Sequence, residues 1–127
     1  MFSHLMIGTN NLDKAKAFYD AVLGTLAVPA GFVDRHRIFW RTPTGVFSTS
    51  LPIDGQPASV GNGSTVGFAC QSSDQVDAWH AAGVANGGTT CEDPPGVREG
   101  ASGRMYLAYL RDPDGNKICA LYRMPKA

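Results

Sequence analysis

Two stretches of this chain repeat one another, and the repeat restricts the available folds more than any other feature. Residues 41–51 read RTPTGVFSTSL and residues 111–121 read RDPDGNKICAL. They align without a gap as Arg-x-Pro-x-Gly followed by a strand-like run that reaches Leu. The repeat extends upstream. His4 pairs with Thr65, Asp13 with Asp74, Ala17 with Ala78 and Phe18 with Trp79, at a constant spacing of 61 positions. Gly45 pairs with Gly115 and Thr49 with Cys119 at a spacing of 70. The difference of nine falls between helix and hairpin, in the long segment TTCEDPPGVREGAS at 89–102, and connections of this kind tolerate insertions. Helix caps, aromatic positions and turns recur in the same order, as in chains built from two copies of one unit. A site is therefore sought where the copies meet.

Each copy reads β-α-β-β-β. In the first, an apolar run at 3–9 predicts a strand. Asn11 or Asn10 caps a helix over 11–24, with Asp13 in its first turn. Ala15, Phe18, Tyr19, Val22 and Leu23 fall at helical spacing, and Gly24 ends the helix. A weak strand at 26–34, broken by Pro29 and Gly31, precedes stronger ones at 37–41 and 46–53. Residues 54–63 (DGQPASVGNG) are the one linker-like stretch. The second copy begins with a strand at 65–71 and a helix over 73–86 capped by Ser72 or Ser73. It closes with a hairpin of strands at 104–110 and 117–123. Between those strands Pro113 presets φ, Asp112 and Asp114 bond nearby backbone, and Gly115 supplies positive φ. The expectation is one domain of two modules, about 1–53 and about 64–123.

The chain has 127 residues, enough for one buried core, and 43% hydrophobic against 17% charged residues reads as globular. Eleven basic and eleven acidic residues cancel, so no field steers the chain toward nucleic acid or anionic lipid. No apolar run approaches the roughly 20 residues of a membrane span. The N-terminus lacks a signal-peptide pattern. Three widely spaced cysteines argue against a disulfide framework and for a reducing cytoplasm.

The early strand with His4, the stretch Asn-Leu-Asp-Lys-Ala-x-x-Phe-Tyr at 11–19 and the Asp-Pro-Asp-Gly-Asn hairpin at 112–116 resemble the vicinal oxygen chelate superfamily. That group holds glyoxalase I, extradiol dioxygenases, and bleomycin and fosfomycin resistance proteins. The resemblance spans essentially the whole chain. It implies an α+β fold of paired βαβββ modules whose sheets curl around a cleft, and a homodimer. In the enzymes of this group a divalent metal sits in the cleft. Its ligands come from the first and last strands of each module, positions that here hold His4, Thr49, Thr65 and Cys119. Those positions are usually His, Gln or Glu, and Cys119 stands where the group's pattern has Glu. Threonine hydroxyls are poor ligands, and a thiolate favours zinc over Mg or Mn, so the metal is zinc or absent.

Strand alternation then lines the cleft with His4, Met6, Phe47, Thr49, Leu51, Thr65, Gly67, Lys117, Cys119 and Leu121, and the resemblance implies that His4 and Cys119 lie side by side. Arg98 and Glu99 either close over a ligand or form a solvated loop. Three functional readings follow. One is a metal-assisted lyase or isomerase with His4 and Cys119 as ligands, which lacks the glutamate base of glyoxalase I. Another is a non-catalytic binder of a small apolar or aromatic compound, as in bleomycin resistance proteins. In the third, Cys119 is a reactive thiol with His4 as its base.

Overall fold

The computed structural model describes residues 1–126. Helix α1 (Leu12–Gly24) starts where Asn11 caps it, its Oδ1 accepting the Lys14 N–H at 3.0 Å. Its stripe of Ala15, Phe18, Tyr19, Val22 and Leu23 is buried, as the helical spacing requires. Helix α2 (Ser73–Ala85) starts the same way, Ser72 Oγ accepting the Gln75 N–H at 3.1 Å. It buries Val76, Trp79 and Gly83. A Cβ at Gly83 would collide with Leu110 and lie 3.2 Å from Val22, so the missing side chain is what lets the two helices approach.

The strands form two mixed sheets. The first runs β1 (His4–Gly8), β4 (Gly45–Ser50), β3 (Arg37–Thr42), β2 (Phe32–Asp34), with β1 parallel to β4 and the rest antiparallel. The second runs β5 (Val66–Ala69), β9 (Lys117–Arg123), β8 (Gly103–Arg111), β6 (Thr89–Thr90), and β7 (Gly96–Gly100) also pairs with β8. The architecture is α+β, two βαβββ-like modules. The connection at 89–102 differs from the sequence expectation, since it contains the short strands β6 and β7. The weak strand expected at 26–34 shrinks to Phe32–Asp34, because Pro29 and Gly31 keep the preceding residues out of the ladder. Among the described residues no helix is long and apolar enough to cross a membrane.

One core joins the modules. The inner face of the first sheet presents Ile38, Trp40 and Phe47 to Tyr19, with ring centroids 5.5 Å (Trp40) and 4.7 Å (Phe47) from the Tyr19 ring. Phe47 then meets Phe68 of the second sheet edge-on at 5.2 Å. The turn at 112–116 docks onto the first module. Asn116 Nδ2 donates to the Gly8 carbonyl at 2.9 Å, and the Asn10 N–H donates to Asp114 Oδ1 at 2.8 Å. Asp112, almost fully buried, accepts the Asp114 and Asn116 N–H groups, each at 2.9 Å.

Candidate functional site

Cross-strand partners share a face of a sheet, so the register decides which residues look outward. In the second sheet the inner face carries Val66, Phe68, Ile118, Ala120, Ala108 and Leu110, all in or against the core. The outer face therefore carries Lys117, Cys119 and Leu121 with Gly67, Tyr109 and Leu107 opposite them. Gly67, Lys117, Cys119 and Leu121 thus share one face. Thr65 immediately precedes β5 and is exposed.

The first sheet corrects part of the expected lining. Phe47 packs on Tyr19 and Trp40, so β4 turns Phe47 and Thr49 inward beside Ile38. Thr49 is fully buried and its Oγ1 has no hydrogen-bond partner. The residue turned to the other face is Ser48, opposite Met6 and Phe39 but itself fully buried, its Oγ donating to the Leu5 carbonyl at 2.9 Å. The cause is a register slip of one residue. Leu5 pairs with Phe47 and its repeat counterpart Val66 pairs with Ile118, so Ser48, not Thr49, is the counterpart of Cys119. A slip of one moves every side chain to the other face. Leu51 follows β4 and lines a separate cavity beyond its end, not the open face. His4 and Met6 do face outward and are exposed.

His4 and Cys119, expected side by side, do not stand on adjacent strands of one sheet. No Cα of β1 lies within 8 Å of one in β5 or β9. His4 Nδ1 instead meets Ser3 Oγ at 2.8 Å. Among the described residues no three His, Cys, Asp or Glu side chains are grouped to hold a metal. The four positions implied by the fold now read His4, Ser48, Thr65 and Cys119, with no carboxylate and one hydroxyl already bonded to backbone. That donor set does not fit a divalent ion.

The outer face of the second sheet has its own electrostatics. Burial, the largest influence, pushes the Cys119 thiol up to about 11, while Lys117 opposes the shift. Cys119 is therefore a neutral, small apolar group near pH 7. The Lys117 ammonium pairs with Glu92, which raises its pKa, and sits 5.0 Å from the centroid of the Tyr109 ring. Burial also raises the Tyr109 phenol. A Cβ on Gly67 would come 3.2 Å from Cys119 Sγ, so the glycine leaves room at the centre of the face. Arg98 is not free to bind a ligand: its guanidinium donates at 3.0 Å to the carbonyls of Asp93, Pro94 and Gly96. Sequence reasoning missed Ser48, Leu107, Tyr109 and Glu92. Ser48 carries no signal in the sequence alone: its match to Cys119, at a spacing of 71, emerges only from the strand pairing.

The sequence profile of the Glyoxalase/Bleomycin resistance protein/Dioxygenase superfamily matches residues 1–120, and the chain belongs to that superfamily. Among solved structures it is similar to a glyoxalase/bleomycin resistance protein from Albidiferax ferrireducens T118. The identity is 64%, covering 96% of this chain and 98% of that one, with a TM-score of 0.95. A glyoxalase-related enzyme from Fulvimarina pelagi shares the fold at 19% identity and TM-score 0.74, covering 97% of this chain and 88% of that one. A lactoylglutathione lyase from Agrobacterium tumefaciens does so at 19% identity and TM-score 0.67, covering 96% and 92%. Among curated proteins none matches this sequence.

Proposed function

We propose that this protein binds a small apolar or aromatic compound on the outer face of the second sheet, without a catalytic metal. The observation that carries the reading is the face itself. Cys119, Tyr109, Leu107 and Leu121 form an apolar floor around Gly67, and the Lys117 ammonium, paired with Glu92, stands at its edge over Tyr109. An aromatic ligand stacks on such a floor and gains from the nearby ammonium. The four family positions carry no carboxylate, and Glu92 at the edge is paired with Lys117, which argues for binding over lyase chemistry.

The reading includes a homodimer. Strands β1 and β5 are both unpaired along one edge, and such edges are templates for another chain. A second copy would also cover Met6 and Phe32, which are large and exposed. The free state of Cys70, Cys91 and Cys119 supports a reducing compartment such as the cytoplasm.

Protein purified without chelator or a histidine tag tests the reading. Elemental analysis is expected to find far less than one metal ion per chain, and titration with anilinonaphthalene sulfonate is expected to saturate. Cys119→Tyr, which fills the floor, is expected to weaken that binding at least tenfold. A stoichiometric metal ion lost on replacing His4 and Cys119 would sink the metal-free reading. Light scattering that gives one 13.5 kDa chain at micromolar concentration would remove the dimer.

A further inference from the structure

A cavity of about 620 Å³ lies away from both outer faces, where β4 ends and β3 begins. Small-molecule sites commonly measure roughly 300–1,000 Å³. Its walls include Asn10, His36, Leu51, Pro52, Ile53 and Gln56.

Three observations mark it as a built site. The loop that forms it is held in place. The Leu51 N–H donates to the His36 carbonyl at 2.9 Å, Asp54 Oδ1 accepts the Gln56 N–H at 2.9 Å, and Asn10 bonds both the N–H (2.7 Å) and the carbonyl (3.3 Å) of Ala58. Pro52 and Pro57 stiffen the same loop. Next, His36 Nε2 is buried with no hydrogen-bond partner, and buried polar atoms are normally paired. Finally, Ile53 stands at the rim 87% exposed, an apolar side chain with nothing to cover.

We propose that this cavity is a second binding site, for a small uncharged compound with a flat apolar body and one hydroxyl group. The body lies against Leu51 and Pro52 and under Ile53. Binding turns the His36 ring, which lines the cavity, so that the hydroxyl completes Nε2. A hydroxyl serves whichever tautomer the ring adopts, because it both donates and accepts. The ligand is neutral because no charged side chain lines the cavity, and a carboxylate there would be desolvated without a counterion. The site shares no residue with the outer face of the second sheet, so it stands or falls separately from the function proposed above.

The experiment is an NMR titration of the full chain at pH 7 with phenol, and with benzoate as its charged counterpart. With phenol, the Leu51 and Ile53 methyl signals and the His36 ring signals are expected to shift along one saturable curve. Benzoate is expected to bind at least tenfold more weakly. His36→Phe, which keeps a ring and removes Nε2, is expected to weaken phenol binding at least tenfold. Ile53→Asp alters an exposed position that the fold does not need, and is expected to do the same should His36→Phe unfold. The proposal is overturned by the absence of saturation, by shifts confined to Leu107 and Leu121, by benzoate binding as well as phenol, or by unchanged binding in a folded variant.

Discussion

The Tyr19 hydroxyl donates a 2.6 Å hydrogen bond to Asp112 Oδ2, tying the first helix to the turn of the other module. Both residues are buried, and Asn116 Nδ2 is the second donor to that oxygen, at 3.0 Å. Burial, then the Asp112 charge, hold the Tyr19 phenol well above its ordinary value of 10.0. Tyr19→Phe removes one of two donors from a buried carboxylate oxygen, and is expected to cost roughly 1–3 kcal/mol in urea unfolding. The pH dependence has a definite sign. The folded pKa is raised, so the stabilisation is complete below pH 10 and is lost as pH rises toward the folded pKa. The gap between wild type and Tyr19→Phe is therefore expected to narrow above pH 10; a gap that widens there contradicts the assignment.

Asp20 ties three parts of the first module together. Its Oδ1 accepts the Gly31 N–H at 2.8 Å and the Trp40 indole N–H at 2.9 Å, and its Oδ2 takes the Lys16 ammonium at 2.6 Å. Burial alone would raise its pKa. The hydrogen bonds from Lys16, Gly31 and Trp40 outweigh burial and lower the pKa. Asp20→Ala leaves the Trp40 N–H without its partner and is expected to cost roughly 1–3 kcal/mol at pH 7. Because the folded pKa is depressed, the charge-dependent part is present above 3.8 and lost as pH falls through the folded value. Denaturant curves of wild type and Asp20→Asn are expected to converge in acid, and curves that stay parallel to pH 2 would rule this out.

The cysteines differ in what surrounds them. Cys70 and Cys119 are buried and both raised to about 11, with burial the first cause in each case. At pH 8 about a thousandth of either is thiolate. Half-exposed Cys91 is expected to react first with a disulfide reagent, and Cys91→Ser to abolish the fast phase. The Cys119 rate is expected to climb about tenfold per pH unit until pH nears 11. Fast modification of Cys119 at pH 7 would instead restore the reading of a reactive thiol.

The repeat, both helix caps and the final hairpin were legible because each rests on local chemistry: Asn11, Ser72 and the Asp112–Gly115 turn act within a few residues of themselves. The face presented by β4 was not legible, because it depends on strand pairing. Two residues separate the paired Thr42 and Gly45, whereas five separate Arg111 and Lys117. Aligning the turns through their glycines hid that difference and carried Phe47 and Thr49 to the wrong face. Strands β6 and β7 escaped detection for a related reason. They are short pieces around Pro94 and Pro95, held by partners on β8 and by no periodicity of their own.

The corrected register makes the last prediction. Thr49 sits opposite Ile7 and Ile38 with its Oγ1 buried and unpaired, so its hydroxyl is a desolvated group with nothing to offset the loss of water. Thr49→Val replaces that hydroxyl with a methyl of similar shape. Removing an unsatisfied buried hydroxyl is worth roughly 1–3 kcal/mol, and a well-packed site recovers part of that as stability. The variant is expected to melt at a higher temperature and to bind the outer-face probe unchanged. Ser48 lies on the other face of β4 yet is fully buried, its Oγ bonded to the Leu5 carbonyl, so Ser48→Val is expected to leave that carbonyl short of a donor and to melt at a lower temperature. Were Thr49 exposed, Thr49→Val would leave stability within about 0.5 kcal/mol of wild type, as surface changes do. Calorimetry on the two variants decides which hydroxyl of β4 is buried without a partner.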